Sequence, residues 1–416
     1  MPDTVNLDRL IKKQISAGMV DFLQAAGKVA RKQQQRIYLV GGIVRDLLLG
    51  RSNLDLDLVV EGDAINLAQE LARVGKGKLT AHHRFGTAKL QWDDGSVDLA
   101  TARAETYARP GALPTVKPGT IDDDLSRRDF TINAMAVELS PRHFGELLDP
   151  HGGRNDLKKG LIRVLHEKSF QDDATRIWRA LRYEQRLDFR LEPSTLKWLK
   201  RDTAMLATIS GDRIRNELKL VLKEEFPEKA LRRANELGVL TELHPSLKGD
   251  DWLVETFALA RQHSTPEPPS TVLYLALLAY RLTSDETEQL ISYLRLPKSS
   301  ARTLRDTQSV KEKIRELSVS GLAPSLIHSL LHDYSSTALV AGSLATDSTI
   351  AAEHIELYLN VLRHVHSSLT GENIKRLGVP SGPRIKEILQ KLQEARLDGR
   401  ATSKKDEEEM VRGCLG

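Results

Sequence analysis

The chain contains one cysteine, Cys414, in 416 residues. Intrachain disulfides are therefore impossible, and so is a zinc site built on cysteine. No apolar run reaches the length of a membrane span, and the N-terminal MPDTVNLDRLIKKQ lacks the apolar core of a signal peptide. A soluble, cytoplasmic protein with no membrane partner is the expectation, and nothing in the chain implies a protein partner. A large excess of one charge is also missing: Lys plus Arg total 61 against 57 acids, a net of +4. Such a balance does not establish nucleic-acid binding, so local distribution has to carry that argument. Basic residues cluster at Arg176/Arg179/Arg182/Arg186, Lys197/Lys200/Arg201, Arg213/Arg215/Lys219/Lys223 and Arg232/Arg233. A polyanion meeting such a stripe would bind in a salt-dependent way.

The most informative stretch is VGGIVRDLLLGRSNLDLDLVVEG, from Val40 to Gly62. Gly41 and Gly42 allow close backbone approach to a phosphate, and the helix expected after them turns N–H groups toward an anion. Asp55 and Asp57 interrupt a strand-like run of Leu54, Leu56, Leu58, Val59 and Val60. Strand periodicity puts both carboxylates on one face, which is costly without a cation. Mg²⁺ suits them, because it takes hard oxygen ligands and completes its shell with water and substrate phosphates. Alone, a glycine pair is usually a turn and a D-x-D usually a solvated strand edge. A phosphate cradle followed by a two-carboxylate metal site reads as nucleotidyl transfer.

Apolar alternation in IYLV, LDLDLVV, GKLTAH, TAKLQW and SVDLAT predicts strands, interleaved with helices IVRDLLLG and AINLAQELARV and preceded by an amphipathic helix up to about Gln35. After about Leu157 strand signals vanish and helical spacing of Leu, Ile and Ala takes over. With two or more domains expected at this length, the fold class is α+β, a mixed-sheet head followed by an all-α region. The segment ARAETYARPGALPTVKPGTIDDDL reads as a long Pro/Gly loop, a type that is often functional. The terminal SKKDEEEMVRGCLG reads as a frayed charged tail.

The order G-G-x-V-R-D and then D-x-D resembles the first motif of nucleotidyltransferases with a polymerase-β-like head. DLSRRDFTINAMAVE, Asp124 to Glu138, resembles the ribose- and triphosphate-binding motif of class II CCA-adding enzymes and bacterial poly(A) polymerases. LLDPHGGRNDLKKGLIRVL resembles the connector of that family, and SFQDDATRIWRALRYEQRLDF, from Ser169, its nucleotide-selecting helix. SGDRIRNELKLVL and ANELGVLTELHP resemble its helical body, so the likeness runs from Ile37 to Pro245. It implies an N-terminal helical segment (1–35), a nucleotidyltransferase head (36–140), a neck (141–210), a helical body (211–300) and a helical tail that grips tRNA (301–416).

The resemblance also implies roles. Asp55 and Asp57 would be catalytic metal ligands, and Asp98 is either a third carboxylate or a strand-end aspartate. Gly42 and Arg45 would meet the triphosphate, with Asp46 orienting Arg45 through a bidentate pair. Arg128 would contact the nucleotide and Asn133 or Asp129 its sugar; alternatively, Asp129 pairs with Arg127 and caps a helix starting at FTINAMA. Asp173 and Arg176 would read the base, because arginine only donates and ionised aspartate only accepts; such a pair takes C and A and rejects G and U. Ser169 with Asp172 looks like a capping box. Arg179 and Arg182 follow at three-residue steps, each drifting about 60° around a helix, so Arg182 points toward phosphate or tRNA. His82 and His83 read as surface or packing residues. His328, His332 and Asp333, a fragment of a phosphohydrolase signature, read as ordinary helix residues.

The implied activity is template-independent addition of C and A to the tRNA 3′ end from CTP and ATP, with Mg²⁺ and release of pyrophosphate. The alternatives are an A-only or CC-only enzyme of a divided system, a poly(A) polymerase, and a non-catalytic tRNA-binding protein. The long Pro/Gly loop argues against CC-only addition, and the lack of an extended basic C-terminus against a poly(A) polymerase.

Overall fold

Apolar alternation builds the N-terminal sheet, and the computed structural model shows what each face packs against. It describes residues 5–51, 55–75, 77–92, 95–109, 111–112 and 114–414, so Leu54 of the expected strand lies outside the described residues. Two helices come first, α1 (Asp8–Gln14) and α2 (Ala17–Lys32). Helix α2 buries Val20, Leu23, Ala26 and Ala30 and comes so close to the sheet that a Cβ at Gly27 would strike the Leu139 carbonyl. Strand β1 (Arg36–Val40), helix α3 (Gly42–Leu49), strand β2 (Leu56–Glu61) and helix α4 (Ala64–Gly75) follow. Next come β3 (Lys78–His82), β4 (Thr87–Trp92) and β5 (Gly95–Thr101). These five strands and two interleaved helices stand where the pattern put them.

The expected Pro/Gly loop contains a hairpin of β6 (Arg103–Thr106) with β7 (Thr115–Pro118), registered from Arg103↔Pro118 to Thr106↔Thr115. It escaped the sequence reading because β7 is exposed at every residue, so neither strand needs an apolar face. After α5 (Ile121–Ser126), FTINAMA forms a single 3₁₀ turn, Thr131–Asn133, and then strand β8 (Ala136–Glu138), which pairs with β1. With β9 (Leu147–Leu148) the sheet order is β3-β4-β5-β2-β1-β8-β9; only β2 and β5 run parallel.

Beyond the sheet lie α6 (Gly153–Lys159) and β10 (Leu161–Ile162). The motif expected as one nucleotide-selecting helix is broken into α7 (Ser169–Asp172) and α8 (Thr175–Leu187). Asp173 makes the break: it is extended (φ −144°) and its carboxylate accepts from the Thr175 backbone N–H and hydroxyl. An aspartate that bonds the backbone two residues on competes with continued helix. The Ser169–Asp172 capping box is absent, since Lys168 occupies the N-cap and the buried Ser169 hydroxyl has no hydrogen-bond partner. Two-residue β11 (Arg190–Leu191) pairs with β10, a strand pair too short to leave a period. Helices α9 (Pro193–Asp202) and α10 (Gly211–Val221) follow.

The chain divides into two compact units, Met1–Glu217 and Leu218–Gly416. The second is helical from Pro227 to Gly413, with Pro227, Pro324 and Pro383 in first turns, where the missing N–H costs nothing. Its core includes Val310, Leu317, Ile327, Leu331, Leu339 and Ile355, and a smaller cluster of Ile374, Ile388, Leu392 and Val411. The expected frayed tail is an ordered helix, Lys404–Gly413. Ser403 and Asp406 form a capping box, Val411 is buried, and fully buried Glu407 accepts from Arg396, Ser367 and the Ser368 and Leu369 backbone. Its charge therefore anchors the helix.

Candidate active site

One cavity of about 700 Å³ opens in the first unit. Its floor is the turn from β1 into α3 and the entrance to β2. Gly41 occupies the left-handed region at φ 77°, and a Cβ there would lie 2.9 Å from an Arg128 nitrogen, so glycine meets both a backbone and a space requirement. Gly41, Gly42, Asp55 and Asp57 line this floor. Asp57 opens to the cavity, but protein on its flanks thins its water. That desolvation, with Asp98 and Asp55 nearby and only partly offset by Arg128, pushes its carboxyl above the ordinary value of 3.8.

The wall opposite is a chain of buried polar groups. Arg45 donates Nε and an Nη to the two Asp46 oxygens at 2.8 and 2.9 Å, the expected bidentate pair, and its other Nη to Asn133 Oδ1 at 2.9 Å. Asn133 Nδ2 donates to Asp129 Oδ1 at 3.0 Å, and Arg179 gives two bonds to Asp129 Oδ2, at 2.6 and 2.8 Å. Burial alone would raise the Asp129 carboxyl; the Arg179 charge and the bonds from Asn133 and Arg179 outweigh it and hold it below 3.8. Asp129 therefore neither pairs with Arg127 nor starts a helix. It accepts from its own neighbour, Phe130 N, while pinning α8 to the head. Glu217 stands 3.8 Å from Arg179, its own carboxyl raised chiefly by burial.

Arg127 and Arg128 are held together by Asp124, which is fully buried and takes Arg127 on one oxygen (2.5 and 2.9 Å) and Arg128 on the other (2.9 and 3.2 Å). Asp173 and Arg176 both line the cavity; the Arg176 backbone N–H donates to the Asp173 carbonyl at 3.1 Å, while their side chains turn to other partners. Arg176 donates to the carbonyls of Arg127 (2.7 Å) and Ser169 (3.3 Å), and Asp173 accepts from Arg213 at 2.7 Å.

Of the site residues expected from sequence, Gly42, Arg45, Asp55, Asp57, Arg128, Asn133, Asp173, Arg176 and Arg179 line this cavity. Two do not. Asp98 pairs with Lys89 at 2.9 Å and lines a second recess of about 390 Å³, shared with Asp57 and Arg128. Arg182 is buried, its guanidinium 4.9 Å from the Tyr183 ring centre, and is not among the residues lining this cavity. Sequence reasoning missed Asp124, Tyr183, Arg213 and Glu217 as members of the site. Arg213 had one signal, its place in a basic cluster, and Asp124 had only its place at the start of the DLSRRD motif; Tyr183 and Glu217 had none. His328 and His332 stack at 5.4 Å in the second unit, and among the described residues no group of three His, Cys, Asp or Glu is placed to hold a metal.

Comparison with known proteins agrees with this architecture. The poly A polymerase head domain family matches residues 37–163, and the family described as a probable RNA and SrmB-binding site of polymerase A matches 188–250. An A-adding tRNA nucleotidyltransferase of Geobacter sulfurreducens is 36% identical over 96% of this chain and 47% of its own, so the chain spans about half that relative's length. An A-adding tRNA nucleotidyltransferase of Halalkalibacterium halodurans is 32% identical over 96% of this chain and 94% of its own. A CC-adding tRNA nucleotidyltransferase of Deinococcus radiodurans is 33% identical over 100% and 98%. Among solved structures, a CCA-adding enzyme in apo form II superposes with TM-score 0.85 at 32% identity, covering 100% of both chains. The Thermotoga maritima CCA-adding enzyme complexed with tRNA-CCA gives 0.79, also at 32% and 100% of both. By cavity, fold and these likenesses, the chain belongs to the class II tRNA nucleotidyltransferase and poly(A) polymerase family.

Proposed function

We propose that this chain transfers nucleoside monophosphates from nucleoside triphosphates to the 3′ end of tRNA. The observation that carries the reading is the single cavity joining the Gly41–Gly42 turn, the Asp55 and Asp57 carboxylates and the Asp173 and Arg176 side chains. The 3′-oxygen bonds to the α-phosphorus, the bond to the β-phosphate side breaks, and pyrophosphate leaves. Gly41 and Gly42 let the backbone approach the triphosphate, and Arg128, braced by Asp124, offers it a fixed charge. Arg45 supports that end through Asp46 and Asn133. Asp173 and Arg176 supply the acceptor and donor that select the base.

The donor set fits Mg²⁺, since two hard carboxylates beside a phosphate-sized cavity leave the remaining positions to water and substrate. Held by Asp55 and Asp57, the ion would acidify the attacking 3′-hydroxyl and stabilise the departing pyrophosphate.

For the nucleotide added, the 36% and 32% identities to A-adding enzymes support addition of the terminal A. Complete CCA addition from CTP and ATP is the second reading, favoured by the TM-score of 0.85 to a CCA-adding enzyme over the whole chain. The β6–β7 hairpin speaks against CC-only addition, because CC-only enzymes are expected to be shortened in that region.

The test uses tRNA transcripts ending at the discriminator base, at C, or at CC, with Mg²⁺ and labelled ATP and CTP, separately and together. Incorporation of A on the CC transcript alone supports the A-adding reading, and completion from the discriminator base supports CCA addition. Long heterogeneous A tails would mean a poly(A) polymerase. No incorporation anywhere would leave a tRNA-binding protein.

A further inference from the structure

The head sheet has two unlike faces. One carries Leu58, Val60, Ala88, Leu90, Val97 and Leu99, each 2% exposed or less, and packs against α4. On the other face the strands β3, β4 and β5 are polar and open. Register sets a file of side chains straight across it: Thr80 opposite Lys89, Lys89 opposite Asp98, and Asp98 opposite Asp57. His82 and Thr87 form the next row. Together they floor the recess of about 390 Å³ that Arg127 and Arg128 close on the far side.

This recess meets the nucleotide cavity at three residues that line both, Asp57, Arg127 and Arg128. Nucleotidyl transfer needs two substrates to meet at the metal-binding carboxylates. The larger cavity holds the glycine turn and the base-selecting pair. The smaller recess offers an ammonium, an imidazole and two hydroxyls, donors suited to a sugar–phosphate backbone but without the paired donor and acceptor that read a base. Its volume is at the lower end for ligand pockets, the scale of one nucleotide.

Resting on the proposed nucleotidyl-transfer reading, we propose that this recess seats the 3′-terminal nucleotide of the acceptor RNA, with Lys89 on its last phosphodiester and Thr80 and His82 beside it. Lys89 is available for that contact. Its pair with Asp98 is 40% and 53% exposed, and an exposed pair of this kind contributes little to stability and exchanges partners readily. Asp98 then holds Lys89 in place between turnovers while standing in register with Asp57.

Steady-state kinetics on a CC-ending tRNA transcript test this with Lys89→Ala and Lys89→Arg. The expected result is a KM for tRNA raised about tenfold in Lys89→Ala, with KM for ATP moving less than about twofold and Lys89→Arg recovering most of the loss. The dependence of log KM for tRNA on log salt is expected to flatten by roughly one phosphate contact, a change that a merely structural role does not produce. An unchanged KM for tRNA, or a loss confined to kcat, overturns the subsite; the latter would mean that Lys89 acts only on Asp57 through Asp98. If the wild-type chain extends no transcript, the nucleotidyl-transfer reading falls and the subsite with it, a result distinct from an active wild type beside an indifferent variant.

Discussion

The floor and the wall of the main cavity each present an aspartate, and the two are pushed in opposite directions. Asp57, on the floor, is partly stripped of water beside two other carboxylates and has its carboxyl raised; Asp129, in the wall, is buried and has its carboxyl lowered. Burial alone predicts the reverse order. What decides is how far the company offsets burial: Asp129 receives Arg179 and Asn133 from within the protein, whereas at Asp57 loss of water does most of the raising, Asp98 and Asp55 add to it, and Arg128 and Lys89 relieve only part. The wall is electrostatically complete, which fits a role in holding parts together. The floor is short of positive charge, which fits a site completed by a cation and a substrate.

Substitutions can break this contrast. The largest expected effect is on the floor: Asp57→Asn lowers nucleotide incorporation by at least roughly a hundredfold, the scale for losing a key electrostatic group, without lowering the melting temperature. Removal of divalent ions from the wild type is expected to abolish incorporation in the same assay and restore it on adding Mg²⁺. On the wall, Asp129→Ala strands the Arg179 guanidinium and is expected to cost about 3–5 kcal/mol of stability, read by denaturant unfolding. Activity then falls with the fraction folded.

Between floor and wall, Asp173→Ala is expected to leave the fold intact and erode the preference for ATP over GTP by about 1–3 kcal/mol in relative kcat/KM. Arg213→Ala, which releases Asp173 on its other side, is expected to shift the same ratio by less.

The smallest effect sharpens the contrast through pH. Because the folded state holds a proton on Asp57 above 3.8, this group's contribution to the stability of the metal-free protein is lost as pH rises from 3.8 through the raised value. Asp129 has the opposite sign: its contribution is present above 3.8 and lost as pH falls through the lowered value. Melting temperatures in a chelator across that range are expected to lose the first trend in Asp57→Asn and keep the second.

The floor was legible in the sequence because its parts are local. Gly41, Gly42, Asp55 and Asp57 lie within seventeen positions of one another, and strand and turn rules place them without knowledge of the rest. The wall was legible only where a family motif named a residue. Asp124 gripping Arg127 and Arg128 is a short-range contact, but nothing in DLSRRD says which acid takes which arginine. Asp173 shows the limit from the other side: an angle counted from it along one continuous helix has no meaning here, because Asp173 ends α7 and α8 begins afresh at Thr175. The tail helix failed differently, since its charge run looked solvated until Glu407 found Arg396 and two serines from elsewhere.

By itself, then, the sequence determined the α+β order, the five principal strands, the phosphate turn and the carboxylate pair, because periodicity and backbone freedom act over a few residues. Tertiary structure alone decided which aspartate is neutralised from within, that Arg213 holds Asp173, and that Lys89 and Asp98 stand in line with Asp57 on an open sheet face. Those outcomes depend on charges and registers brought together from distant parts of the chain, and no local rule carries that information.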